Sequence, residues 1–267
     1  MHFLRRNLAF FRLAVLTNLE YRVNFFTDAI LQPFCTSLIE LTLWFAVFAS
    51  ATSTTIGGFT REYYLAYALW TAFVARIATS WMYEFKMIEE IDSGSINGLL
   101  VRPMSFFEYY LSQLLGYKFI TTVISLLIPL AMITFFQLPT IYSRIPLALL
   151  LITYYLVLVH TIGFIVSSMA FHLNRIYSLT GTKNLALWLV SGELVPVDLL
   201  PEPYKTWVLD LPFCNGVYIP VAYITGRVGT NMVWHGFMTT TVGLAVFSII
   251  AVFMWRWGLR KYVGTGA

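Results

Sequence analysis

Long apolar runs alternate with short polar connections along most of this 267-residue chain. Runs of about 20 apolar residues are long enough to cross a bilayer as helices. A shorter run at 184–190 is marginal, although residues 176–179 could extend it. The pattern predicts an all-α polytopic membrane protein with six transmembrane helices, five of them at 25–49, 62–83, 114–136, 147–171 and 232–255.

Residues 1–22 have too many polar interruptions to span a membrane. On a helix, Arg5, Arg12 and Glu20 share one side, whereas Phe11 and Leu19 lie largely elsewhere. This pattern is typical of an amphipathic helix in the membrane interface. No compact apolar core with a small-residue cleavage site follows the arginines, so we expect this helix to be retained.

The 193–227 segment contains five of the ten prolines and only short apolar runs. Proline every few residues prevents one continuous helix. Such backbone is tolerated at membrane depth only where it packs on protein or lines a wet cavity. We therefore predict short re-entrant or interfacial helices here, on the outer side of the membrane.

Composition agrees with this assignment, because 58% of the residues are hydrophobic and only 11% are charged. The predicted spans leave no room for a soluble domain, so residues 1–267 are predicted to form one transmembrane domain. The net charge of +4 could suggest nucleic acid, but the basic residues lie beside apolar segments, as expected for charges that set membrane orientation. No nucleic-acid partner is expected.

Orientation follows from the distribution of lysine and arginine. With both termini cytoplasmic, four such residues lie outside, Arg76 lies within the membrane, and twelve lie inside. The twelve are Arg5, Arg6, Arg12, Arg22, Lys86, Arg102, Lys118, Arg175, Lys183, Arg256, Arg260 and Lys261.

Three charged residues fall inside predicted spans: Asp28, Glu40 and Arg76. At about 1.5 Å per residue, Glu40 and Arg76 lie at depths that long side chains could bridge. Intramembrane charges often mark a transport path, but a structural ion pair explains them equally well. Both interpretations remain open.

Catalytic chemistry is not indicated. The chain has no GxxxxGKS or GxxxxGKT phosphate-binding loop, and its four histidines lack metal-ligand spacing. Cys35 and Cys214 share no motif, so neither a disulfide nor a catalytic thiol is expected. No catalytic residues therefore support an interpretation as a membrane enzyme or an assembly scaffold. No metal or cofactor is expected on this chain.

The 84–113 segment is the most polar stretch and is predicted to be cytoplasmic. We predict a helix over 86–91, then an elbow with stopping points at two glycines, and then a helix over 106–115 opened by a capping box. We interpret the segment as a docking element for a partner protein, the alternative being a passive loop. Its candidate residues are Lys86, Glu89, Glu90, Asp92, Gly94, Gly98, Arg102, Pro103, Ser105 and Glu108.

Two stretches carry a family resemblance. The first, SGSINGLLVRPMSFF, reads from Ser93 to Phe107, and the second is the late pattern formed by Pro196, Leu200-Pro201 and Leu211-Pro212-Phe213. Together with the predicted spans, they resemble the permeases of ABC-2 type transporters, and specifically a subgroup of uncharacterised bacterial permeases. The resemblance covers nearly the whole chain.

The resemblance implies a subunit of the bacterial inner membrane that pairs with a second permease, as a homodimer or a heterodimer. Separate ATP-binding subunits would hold ATP and Mg²⁺ and dock on the 84–113 segment, driving export of an amphipathic or lipid-like cargo. The path would lie at the dimer interface, where Asp28, Glu40 and Arg76 are candidates to line it. The outer segment would act as a gate, with candidates Glu193, Pro196, Pro201, Pro212 and Phe213.

A second function class remains open from the residues alone. An ion-coupled secondary transporter could use Asp28, Glu40 and Arg76 as a relay. Against it, the chain shows no evident internal repeat with broken helices in matching positions.

Overall fold

The computed structural model describes residues 2–20, 22–173 and 176–262. Arg175, one of the residues in the orientation count, lies outside the described residues, as do Met1 and Tyr21 of the predicted interfacial helix. The fold is helical, as predicted, apart from one two-stranded hairpin. The helices are α1 (His2–Glu20), α2 (Arg22–Phe26), α3 (Gln32–Ser50), α4 (Arg61–Ile77), α5 (Trp81–Asp92), α6 (Asn97–Leu100), α7 (Phe106–Ser125), α8 (Leu127–Phe136), α9 (Ile145–Ser168), α10 (Tyr177–Ser191), α11 (Tyr204–Asp210), α12 (Tyr218–Ile224) and α13 (Thr230–Lys261).

Four helical stretches of the described chain are long and apolar enough to cross a membrane: Val23–Ser50, Phe106–Phe136, Tyr142–Phe171 and Thr230–Lys261. They correspond to the predicted first, third, fourth and last spans. The predicted second and fifth spans are the shorter helices α4, with 17 residues, and α10, with 15. The six-span arrangement therefore stays a prediction.

Helix α4 lies at the centre of the fold and is buried along nearly its whole length. It contacts α3, α8, α9 and α12, and its aromatic side chains Trp70, Tyr64, Tyr67 and Phe73 are among the largest fully buried ones. It ends six residues earlier than the predicted span, because the helix is interrupted at 78–80 before α5 begins. Since neighbouring helices surround α4, its polar side chains need not face lipid.

The loop between α3 and α4 forms a small hairpin. Strand β1 (Thr55–Ile56) pairs antiparallel with β2 (Phe59–Thr60), with Thr55 opposite Thr60. Gly57 and Gly58 both have positive φ, which a two-residue type I′ turn requires. The connection between α3 and α4 thus contains a tight turn.

Helix α1 packs along the first half of α7. Arg6 reaches Glu108, Phe10 meets Tyr109 edge to face at 5.1 Å, and the backbone of Phe11 lies so close to Gly116 that a Cβ there would clash. The amphipathic pattern is confirmed as a helix, whereas its interfacial position stays a prediction.

Candidate functional site

A charged cavity of about 320 Å³ lies among α3, α4, α7 and the end of α10. Its lining brings together all three predicted intramembrane residues, Asp28, Glu40 and Arg76, and adds Lys118 and Glu193. Threonine hydroxyls and the tryptophans Trp81 and Trp188 complete the walls. The cavity combines both signs of charge with apolar surface, which suits an amphipathic ligand better than a purely apolar or purely ionic one.

Arg76 is held at a defect in the first long helix. Residues 27–31 form one π turn, in which the Gln32 amide donates to Thr27 rather than to Asp28, and Pro33 has no amide hydrogen to offer. The carbonyl of Asp28 is therefore left without a helical partner, and the Arg76 guanidinium donates to it. Arg76 also donates to Gln32 Oε1 at 2.7 Å.

Glu40 and Arg76, whose depths would have allowed long side chains to bridge them, do not form an ion pair in the described structure. Glu40 lies eight residues beyond Gln32, which places it about 12 Å further along α3. No ion pair joins the two side chains in the described structure. Asp28 instead accepts a hydrogen bond from the Tyr117 hydroxyl at 3.1 Å.

Lys118, which the charge count assigned to the cytoplasmic side, lines the cavity. Its ammonium group donates to the carbonyl of Arg76 and to the Thr79 hydroxyl at 3.1 Å. Arg76 lies in the last turn of α4, where carbonyls lack helical partners, so Lys118 caps that helix. One end of the cavity is thus cationic, whereas Glu40 and Glu193 lie at the other.

The 84–113 segment has the predicted order of helix, elbow and capped helix, with shifted boundaries. Helix α5 begins at Trp81 rather than Lys86, because it continues from the break after α4. It ends at Asp92, and Gly94, two residues further on, has a φ of +74° and takes up the left-handed turn that follows a helix. The Ser105 hydroxyl accepts from the Glu108 amide at 3.4 Å, which confirms the predicted cap.

One part of the elbow prediction is wrong. Gly98 lies within the short helix α6 with a helical backbone and open space around it, so it does not stop a helix. The Ile96 side chain, which is fully buried, anchors the elbow just before α6.

The acids of α5 divide into two groups. Glu89 and Asp92 are exposed, whereas Glu90 accepts a hydrogen bond from the Tyr110 hydroxyl on α7. Lys86 also turns towards α7 and donates to Gln113 Oε1 at 2.7 Å. Burial lowers the pKa of Lys86, and Glu90 at 4.0 Å opposes that shift. Lys86 and Glu90 therefore join the two helices, and among the acids of α5 Glu89 and Asp92 are the ones that offer charge to a partner.

The tip of the elbow carries an exposed apolar residue. Val101 is 85% exposed, and Gly98, Arg102 and Pro103 beside it are exposed as well. Arg6 of α1 supports the elbow from behind, donating to the Pro103 carbonyl at 3.1 Å and to Glu108 at 2.8 Å. The tip is held in place while its outer surface stays open.

A buried ion pair joins this segment to α10. Lys183 Nζ lies 2.6 Å from Glu84 Oε1, and the two side chains are 10% and 3% exposed. Ser80 donates to the same carboxylate oxygen at 2.7 Å, and Gly163 leaves the space that the carboxylate occupies. Sequence reasoning placed Lys183 in a cytoplasmic loop; the structure places it inside helix α10.

Comparison with known proteins decides the family. A family model described as "ABC-2 family transporter protein" matches residues 34–266. The chain belongs to this family. It is also 26% identical over 182 residues to the inner membrane transport permease YhhJ of Escherichia coli K12 and to that of Shigella flexneri. This match covers 68% of the chain and 47% of each relative. The chain therefore spans about half the length of those relatives.

In this ABC-2 family permease, the 193–227 segment folds into short helices, as predicted. They are α11, α12 and two short 3-10 turns at Val197–Leu199 and Pro212–Asn215. Of the predicted gate residues, Glu193 lines the charged cavity. The other four do not: Pro196 is buried, Pro201 is exposed, and Pro212 packs against Gly243 of α13, while Phe213 is half-buried.

Sequence reasoning missed Asp198, which organises this segment of the permease. Its side chain is fully buried and accepts from Tyr63 at 3.1 Å, Tyr218 at 2.9 Å and Arg227 at 3.1 Å. Lys205 lies 3.9 Å away. An acid between two prolines, with tyrosines in the neighbouring helices, was the signal available in the sequence.

Both cysteines of the permease are free. Cys214 is buried, and burial raises the pKa of its thiol to about 12. The thiol donates to the Val208 carbonyl at 2.9 Å. It is therefore a protonated structural donor at neutral pH, in agreement with the expectation that no disulfide forms.

Proposed function

We propose that this chain is the membrane subunit of an ATP-driven ABC-2 exporter for an amphipathic or lipid-like cargo. Separate ATP-binding subunits would hold ATP and Mg²⁺ and dock on the 84–113 segment. A second permease subunit, identical or related, would complete the pore in the inner membrane, with both termini cytoplasmic. Membership of the family and the similarity to an inner membrane transport permease support a transport role.

The observation that carries the docking proposal is the surface of the elbow. Val101 stands almost fully exposed, with Arg102 beside it and Glu89 and Asp92 on the outer face of α5. An apolar residue within a charged rim is typical of a protein contact. Since Glu90 is engaged by Tyr110, the contact would use Glu89 and Asp92 and not all three predicted acids.

Movement of the docked segment would reach the cavity through the Glu84–Lys183 ion pair. Lys183 lies on α10, and Trp188, about 8 Å further along the same helix, lines the charged cavity. A shift of α5 would therefore displace α10 at the cavity wall. The mixed lining, with Arg76 and Lys118 at one end and Glu40 and Glu193 at the other, would hold a cargo with a polar head and an apolar part.

The test is independent of the cargo. The permease is purified with a candidate ATP-binding subunit, and the affinity of the pair and its ATPase activity in vesicles are measured. We expect Glu89→Lys with Asp92→Lys to weaken the pair at least tenfold without changing the elution of the permease. The matched control, Glu62→Lys with Asp210→Lys, reverses two exposed acids elsewhere and should change neither quantity.

Two results would contradict the proposal. One is equal binding of the ATP-binding subunit by both double variants. The other is transport of an amphipathic dye by the purified chain alone, driven by a proton gradient and indifferent to the ATP-binding subunit. The second result would favour the ion-coupled transporter, with Asp28, Glu40 and Arg76 as its relay.

A further inference from the structure

A second cavity, of about 500 Å³, lies between the start of α7, helix α9 and the last turns of α13. Its lining shares no residue with that of the charged cavity. Four aromatic side chains line it: Phe106, Phe107, Phe164 and Trp255. Their rings pack on one another, with centroids 4.9 Å apart for Phe106 and Trp255 and 5.1 Å apart for Phe164 and Trp255.

One wall of this groove is a stripe along α13. Ser248, Val252 and Arg256 are spaced four residues apart, so they lie on one face of the helix, and all three are exposed. From Ser248 to Arg256 the stripe runs about 12 Å. The groove is thus open along its length and has an apolar interior with one cation at its end.

Arg256 has no partner in the part of the chain that the structure describes. No hydrogen bond or ion pair reaches its guanidinium, although Arg6, Arg76, Arg144 and Arg227 all make such contacts. Arg256 is also the first residue after the predicted last span, next to Trp255. Tryptophan and arginine at the end of a span lie at the level of the lipid headgroups.

We propose that this groove is a binding site for an anionic phospholipid. The guanidinium of Arg256 would take the headgroup phosphate, to which its planar donors are suited. One acyl chain would lie along Val252 and the aromatic wall. A free phosphate would leave the 500 Å³ of apolar space empty. A zwitterionic lipid would bring the cation of its own headgroup close to Arg256, so the charge and the shape of the groove together favour an anionic amphiphile.

The site adjoins the 84–113 segment. Met104 and Ser105 line the groove, and Ser105 caps the start of α7 directly after the elbow. A bound lipid would pack against this capped turn and stabilise it. We therefore expect the thermal stability of the purified protein to rise when the lipid is restored.

The test uses the full chain, stripped of lipid in detergent and titrated with phosphatidylglycerol or with phosphatidylcholine of the same chain length. Bound lipid is counted by native mass spectrometry. Arg256→Gln should weaken phosphatidylglycerol binding about fivefold, since one cation at a membrane surface contributes roughly that factor. Arg260→Gln, on the same basic end of α13 but outside the groove, is the matched control and should leave binding unchanged.

A second pair of variants tests the apolar part of the groove. Val252→Trp should fill it and reduce binding of both lipids, whereas Phe253→Trp, at the next exposed position outside the lining, should not. Both positions are on the surface, so folding is not at risk.

The proposal is overturned if both lipids bind equally, if Arg256→Gln behaves as Arg260→Gln, or if glycerol phosphate without acyl chains displaces the lipid. The proposal is also overturned if a second copy of the chain occupies the groove. In that case native mass spectrometry would show a dimer of the parent protein, and Val252→Trp would abolish that dimer.

Discussion

The 193–227 segment and the 84–113 segment are both polar stretches between long helices, yet they are fixed in different ways. In the first, one fully buried carboxylate, Asp198, holds two tyrosines and an arginine, with a lysine nearby. In the second, four separate contacts each join one pair of elements: Glu84 with Lys183, Lys86 with Gln113, Glu90 with Tyr110, and Arg6 with Glu108.

This difference indicates different mechanical properties. A segment with a single shared centre is held or released as one unit, because removing the centre leaves every partner unpaired. A segment with separate contacts can lose one and keep the others, so it can change position in steps. Separate contacts, as in the 84–113 segment, suit an element that transmits movement. A single shared centre, as in the 193–227 segment, suits an element that stays fixed in one position.

The largest effect should come from Asp198→Asn. The variant replaces the buried charged acceptor of Tyr63, Tyr218 and Arg227 by a neutral amide. Because each hydrogen bond to a charged group contributes about 1.5–3 kcal/mol, we expect a loss of about 3–5 kcal/mol in the free energy of unfolding. Denaturant unfolding in detergent measures it. Asp210→Asn is the control: Asp210 is 67% exposed, its only ion pair among the described residues is a 3.6 Å contact to His235, and it should lose less than about 1 kcal/mol. Equal losses would contradict the single-centre account.

Glu84→Gln should have the next largest effect, about 3 kcal/mol, because it leaves Lys183 buried and without its charge partner. Adding Lys183→Met should recover most of this stability, since the double variant buries no unpaired charge. A double-mutant cycle on the same unfolding measurement gives the coupling energy. Additive losses would show that the ion pair does not hold α5 to α10.

Glu108→Gln should have the smallest effect, below about 1 kcal/mol. The Arg6–Glu108 pair is about one third exposed on both sides, and pairs of this kind contribute little. A loss as large as that of Glu84→Gln would remove the distinction between the buried link and the surface support of the elbow. Circular dichroism melts of the two variants, compared side by side, decide this.

Local sequence signals predicted the long helices well. The four long apolar stretches match the predicted spans closely, because apolar length is a property of the chain itself. The cap at Ser105 and the helix end at Gly94 were predictable because each depends on residues that are close together in the sequence. Gly98 was not, since nothing local distinguishes a glycine that stops a helix from one that lies in it.

The paired charges were harder to predict. Lys118 and Lys183 entered the charge count as basic residues near the ends of apolar runs. The count does not reveal their partners: Lys118 caps α4, and Lys183 pairs with Glu84. Asp28, Glu40 and Arg76 line one cavity. The partners of Arg76 result from a π turn and from Pro33, which free the Asp28 carbonyl. Such partners are set by tertiary packing, which one sequence does not reveal.

The most direct test of the account follows the cavity while the ATP-binding subunit works. Thr36 lines the cavity, so Thr36→Cys in a Cys35→Ser background can be labelled by a charged maleimide in vesicles. With the ATP-binding subunit bound, we expect ATP to change the labelling rate severalfold, and Glu84→Gln to abolish that change while the subunit still binds. If Glu84→Gln responds to ATP as its parent does, movement does not reach the cavity through the Glu84–Lys183 ion pair.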